Sequence, residues 1–158
     1  MRYIVSHRKQ FATPFHSDSA GDEKLAVVVL VERHEEMRRL YDAWLKDHEV
    51  LNCPRIVGGA HGQFRCVLLA DLPCPLLRRA DFVVYDPWPE EELADQEDIE
   101  VIRAIRQNHP GGRILIAGGW QWLPERIRQL MLEDSGILLA PFNPPDLAMQ
   151  ITGLVELR

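Results

Sequence analysis

The chain has 158 residues, the length of a single domain. Hydrophobic residues make up 46 % and charged residues 27 %, an ordinary globular balance. A formal net charge of -6 argues against a phosphate-binding surface, and so against direct nucleic-acid binding. The longest purely apolar run, Leu25 to Val31, is far too short to span a bilayer, and no membrane association is expected. The first residues carry no extended apolar stretch of the secretory kind, which makes the cytoplasm the expected compartment. Three cysteines, an odd number, do not make a disulfide framework and are expected as thiols.

Residues 1–23 are mixed and polar and read as a lead-in, with a short apolar anchor at Tyr3 to Val5; the domain proper is 24–158. Leu25 to Val31 reads as the first buried strand. His34-Glu35-Glu36 then opens an exposed helical turn, its acids well placed for the helix dipole. Met37, Leu40, Tyr41, Trp44 and Leu45 fall at i, i+3, i+4, i+7 and i+8, one stripe of that helix. A short strand is expected near Glu49 to Asn52, followed by an insertion at about 53–75. Phe82 to Tyr85 is the next apolar run. The acidic stretch Pro89 to Asp98 reads as a solvated loop and helix start that would repel acidic partners or attract basic ones. Ile99, Ile102 and Ile105 give a weaker stripe, stopped by Asn108-His109-Pro110-Gly111-Gly112. After the run Ile114 to Ala117 come Leu123, Ile127, Leu130 and Met131 at helical spacing, with Pro124 suited to the first turn. The last run is Ile137 to Leu139. Asn143 is then placed to cap a helix, Pro144 or Pro145 to start it, and Leu147, Ile151, Leu154 and Val155 to face the core.

Continuous rather than alternating hydrophobicity means that both faces of each strand are covered. Strand and helix patterns in alternation imply βαβ units and right-handed crossovers. The expected architecture is therefore α/β: a flavodoxin-like, doubly wound, parallel five-stranded sheet in three αβα layers. In such a fold the working site lies at the carboxyl ends of the strands. That directs attention to Glu32, Asp86, Gly118 and Ala140.

Those strand ends resemble the receiver domain of bacterial response regulators. The family has an acidic pair after its first strand, a phospho-accepting Asp after the third, a Ser or Thr after the fourth, and a Lys before a Pro after the fifth. Glu32-Arg33 stands where the acidic pair would be, Asp86 at the acceptor position, Gly118 at the hydroxyl position and Ala140-Pro141-Phe142 at the Lys-Pro turn. The intervals from Asp86 to Gly118 and to Ala140 are close to the family's, while that from Glu32 to Asp86 is longer, as an insertion would make it. The resemblance covers about residues 24–158.

The departures shape the expected function. Arg33 replaces an acid, Gly118 the hydroxyl and Ala140 the Lys. Receiver chemistry uses carboxylates to hold Mg²⁺, the ion and the Lys to stabilise the transferring phosphoryl group, and the hydroxyl to sense it. Only Glu32 and Asp86 remain, with Arg33 able to pair with Asp86 in place of the metal or the Lys. The resemblance therefore implies a pseudo-receiver: a non-catalytic signalling or interaction domain with a protein partner or a second copy of itself. The face of the last two helices and last strand is one surface for such pairing. No cofactor is expected, Mg²⁺ being the one the residual site would take. Plainer roles compete, since Asp86 before Pro87 suits a turn and Glu32 suits a helix start.

Three further features remain. Cys53, Cys66 and Cys74 with His61 could make a Cys₃His zinc site, although the spacings are wide and buried thiols commonly act as small hydrophobes. Gly58-Gly59-Ala60-His61-Gly62 matches neither a P-loop nor a dinucleotide fingerprint. Trp88, Trp120 and Trp122 all follow strand ends and would gather on the rim, as partner hot spots or as cover for the insertion. Two alternatives follow: a small ligand-binding protein or enzyme using the cleft at Asp86 and Glu32, or a zinc-stabilised binding module. The chain shows no recognisable nucleophile–base set, which weighs against an enzyme.

Overall fold

The computed structural model of the chain describes residues 25–32, 34–53, 66–87 and 94–157. The lead-in, Arg33, His61 and Trp88 lie outside the described residues. The four apolar runs and the short segment at Glu49 to Asn52 become five parallel strands: β1 (Val27–Val31), β2 (Glu49–Asn52), β3 (Phe82–Tyr85), β4 (Arg113–Ala117) and β5 (Ile137–Ala140). They form one sheet in the order β2-β1-β3-β4-β5, the doubly wound, flavodoxin-like arrangement the sequence pattern predicts. Helices α1 (Glu35–Trp44), α2 (Ala94–Asn108), α3 (Glu125–Glu133) and α4 (Pro144–Glu156) follow β1, β3, β4 and β5. Between β2 and β3 the described residues hold a 3₁₀ turn, Val67–Ala70. No helix among the described residues is long and apolar enough to cross a membrane.

The pleat divides the core in two. Val28, Leu30, Phe82, Val84 and Leu115 point to the layer of α1 and α4, where Tyr41, Leu45, Leu147 and Ile151 meet them. Val29, Val31, Val83, Tyr85, Ile114 and Ile116 point to the other layer, against Ile102 and Ile105 of α2, Ile127 of α3, and Leu68 and Leu77 of the β2–β3 connection. β3 is buried along its whole length, and β1 and β4 all but at their first residue, which is why their apolar runs are unbroken; on the edge strand β5, Leu139 is partly exposed. At the lower end Arg106 joins the layers' connections: its Nε donates to Asp134 at 2.7 Å and its Nη1 to the Gly112 carbonyl at 2.7 Å. Asp81 accepts from the Val27 amide at 2.8 Å, pinning the start of β1 to the strand beside it. On the outer edge the Gln150 side chain donates to the Leu139 carbonyl of β5.

Several expectations need correction. The first strand begins at Val27; Leu25 lies ahead of it and is exposed, although its amide still donates to the Asp47 carbonyl at 3.0 Å. Along α1 and the residue that ends it, the inward line runs through the half-buried Met37 and the buried Tyr41 and Leu45, one side chain every four residues, while Leu40 and Trp44 are half exposed. Asn143 is the residue before α4 as expected, but its side chain makes no capping bond. Pro124 sits just ahead of α3 and not inside its first turn. Asp98, the last acid of the stretch read as solvated, is fully buried and accepts a 2.5 Å hydrogen bond from the Tyr85 hydroxyl. It lies four residues before Ile102 and therefore shares that residue's inward face.

Candidate functional site

The chain runs outward from β1 to β2 and then crosses back to β3, so the strand order reverses between β1 and β3. A crevice opens outside the carboxyl ends of strands at such a point. The register pairs Val31 with Tyr85, Tyr85 with Ile116 and Ala117 with Ala140. Glu32 and Asp86 are thus the next residues on neighbouring strands, roughly one strand spacing apart. Ala117 and Ala140 continue the same row toward the edge.

Around this row lies an open cleft of about 590 Å³. Asp86 and Pro87 form one side and Gly118, Gly119, Trp122 and Pro124 another; Pro141, Phe142 and Asn143 close it. Of the sequence-selected residues, the fold brings Asp86, Gly118, Trp122 and Pro141 to this one cleft. Ala140 is buried beside it, and Trp120 stands on the same 3₁₀ turn, Trp120–Trp122, without lining the cleft. Trp122 is 75 % exposed and Phe142 53 %. Aromatic side chains left so open at a concave rim are the usual anchors of a protein interface.

Two glycines shape this rim. Gly118 has φ +151°, a conformation that side-chain-bearing residues avoid. A Cβ there would also lie 3.3 Å from Cδ2 of Leu123. The backbone at this strand end therefore disfavours any side chain. At Gly119 a Cβ would stand 2.9 Å from Cδ1 of Trp122, so glycine there leaves room for the indole to fold back over the turn.

Glu32 is only 3 % exposed. Its Oε1 accepts from the His34 amide at 2.7 Å, just ahead of α1, and its Oε2 has no hydrogen-bond partner among the described residues. Beneath the row lies a group that sequence reasoning missed. Tyr41, in the middle of α1, sends its hydroxyl up to donate to the Phe142 carbonyl at 3.3 Å. Burial first, then the negative charges of Asp86 and Glu32, hold its phenol protonated far above the usual range. The available signal was a tyrosine inside an apolar helix stripe, since a buried hydroxyl must find a partner.

An unfolded chain releases a tyrosine proton near pH ~10. Because the folded-state value is raised, this contribution to stability is complete below about pH 10 and declines as pH rises further. Tyr41→Phe is expected to cost about 0.5–1.5 kcal/mol at neutral pH, through the lost hydrogen bond. It should also reduce the fall in urea midpoint between about pH 8 and about pH 11. An equal fall in both proteins would remove Tyr41 from the account of alkaline stability.

Cys53, Cys66 and Cys74 come from separate parts of the chain yet line one apolar cavity of about 30 Å³ beneath the β2–β3 connection. No disulfide joins them. Among the described residues no group of three or more His, Cys, Asp and Glu side chains could hold a metal ion. His61 lies outside the described residues, and with it the complete Cys₃His set. The same cysteines pack against Val29, Leu77 and Val83, as small core hydrophobes do. Family models, curated proteins and solved structures return no match to this chain.

Proposed function

We propose that the chain is a non-catalytic protein-interaction domain, of receiver-like design with a degenerate phosphorylation site, whose working surface is the strand-end cleft. The observation that carries this reading is the character of that cleft. It has one carboxylate, Asp86, set among exposed aromatic and proline side chains. The side chains that would sense or stabilise a phosphoryl group are replaced by Gly118 and the buried Ala140. Among the described lining residues there is no Ser, Thr, His, Cys or Lys to act as nucleophile, base or phosphate ligand. Leu132, Leu139 and Met149 leave an apolar exposure on α3, β5 and α4, where a second copy would pair.

A small-molecule site is the second reading, favoured by the volume of the cleft, which falls in the range of ligand pockets. The openness of its walls and its single titratable group weigh toward a macromolecular partner.

The test is an amide NMR spectrum with and without Mg²⁺ and beryllofluoride, a mimic of the acyl phosphate, against an Asp86→Asn control. No Asp86-dependent shift is expected at Glu32, Gly118 or Ala140. Shifts confined to those positions and lost in Asp86→Asn would show a working phosphorylation switch and overturn the proposal.

A further inference from the structure

The cleft has a charge as well as a shape. Its described lining residues include a carboxylate and no cationic side chain. Glu32 stands next to Asp86 in the strand-end row, deeply buried, with Oε2 lacking a hydrogen-bond donor among the described residues. The chain as a whole is acidic. A donor carrying positive charge is what this end of the sheet attracts.

The walls say which donor. Trp122 presents an open indole, and Phe142, Pro87 and Pro141 offer apolar faces around the carboxylate. A bare metal ion would gain nothing from them. A guanidinium gains from all three elements. It is planar and stacks on an indole, it pairs with a carboxylate through two parallel N–H bonds, and its aliphatic stem covers apolar surface. Asp86 also has an interaction within the chain, and a carboxylate, with roughly four lone-pair sites, has room for more than one donor.

We propose that the cleft receives an arginine side chain from a partner protein, its guanidinium held between the Asp86 carboxylate and the Trp122 indole. This inference rests on the interaction-domain reading and names the chemistry of the partner. An open cleft suits a side chain presented on a partner's surface, with flanking residues lying against Phe142 and Pro124.

The experiment titrates the full chain with acetyl-Ala-Arg-Leu-amide and records amide and indole NMR shifts. The same peptide with citrulline, which keeps the shape and loses the charge, is the comparison. The arginine peptide is expected to shift the Trp122 indole N–H and the amides of Gly118, Gly119 and Phe142. The citrulline peptide should bind at least about tenfold more weakly, and Asp86→Asn should bring the arginine peptide down to that level. Trp122→Leu should weaken it while leaving the spectrum of a folded protein. Equal binding of the two peptides at these residues would overturn the arginine proposal and leave the docking surface standing. No shift at the cleft with either peptide would also overturn it. The interaction-domain reading is judged separately, by the beryllofluoride response.

Discussion

Phe82→Ala is expected to remove about 3–5 kcal/mol of stability, the usual cost of truncating a fully enclosed aromatic side chain. Phe82 opens β3, the central strand of the sheet, and is completely buried against the layer of α1 and α4. The lost transfer energy is one part of the cost. The cavity is the other, because Val28 and Leu115 are fixed by their own strands and collapse into it poorly. Domains commonly have only about 5–15 kcal/mol in total, so this single change uses up much of the margin. Thermal unfolding should show it as a fall of roughly 6–20 °C, at about 2–4 °C per kcal/mol for a domain of this size. Leu139→Ala, on the half-exposed edge of β5, is the control and should cost far less. Similar losses from the two would mean that Phe82 is not the enclosed residue described here.

Gly118→Ser should cost about 1–3 kcal/mol through the backbone alone. The residue has φ +151°, and its new Cβ would press on Leu123. Gly118→Ala should cost nearly the same, since neither penalty involves the hydroxyl. The serine variant should also stay silent to Mg²⁺ and beryllofluoride, as Ala140 still stands where the resemblance places a Lys. Urea denaturation of the two variants checks the first statement and the NMR spectrum checks the second. A serine variant as stable as the parent would show that the turn relaxes without strain. A phosphate-mimic response in it would mean that a single hydroxyl had been the missing part.

The sheet was legible in the sequence because its physics is local. Residues buried on both faces leave unbroken apolar runs, and each run from Val27 to Ala140 became a strand. Helix stripes were legible for the same reason, but their width was not. Leu40 and Trp44 match the spacing of α1 yet remain half exposed, because the stripe is wider than the surface that α1 covers. Asp98 was misplaced because its charge outweighed its position, although it shares a helical face with Ile102 and Ile105. The ends of β3, β4 and β5 predicted the cleft, since a doubly wound sheet has one usable end. Tyr41 could not be placed there from the sequence. Its hydrogen-bond acceptor, the Phe142 carbonyl, is 101 positions away. The conformation of Gly118 is likewise set by the fold, and the Gly118-Gly119 pair only hinted at a turn.

Every strand pairing in this sheet is parallel, which has a consequence for how the chain is made. Parallel neighbours cannot close through a tight hairpin. β1 is completed on its second side only when β3 arrives, and Val27 and Asp81, which bond across that pair, are 54 positions apart. At a synthesis rate of roughly 5–20 residues per second, β1 therefore waits about 3–11 s for its second partner. Through that interval a run of five consecutive valine and leucine residues lacks its second strand neighbour, at the stage when chaperones and aggregation compete for such surface.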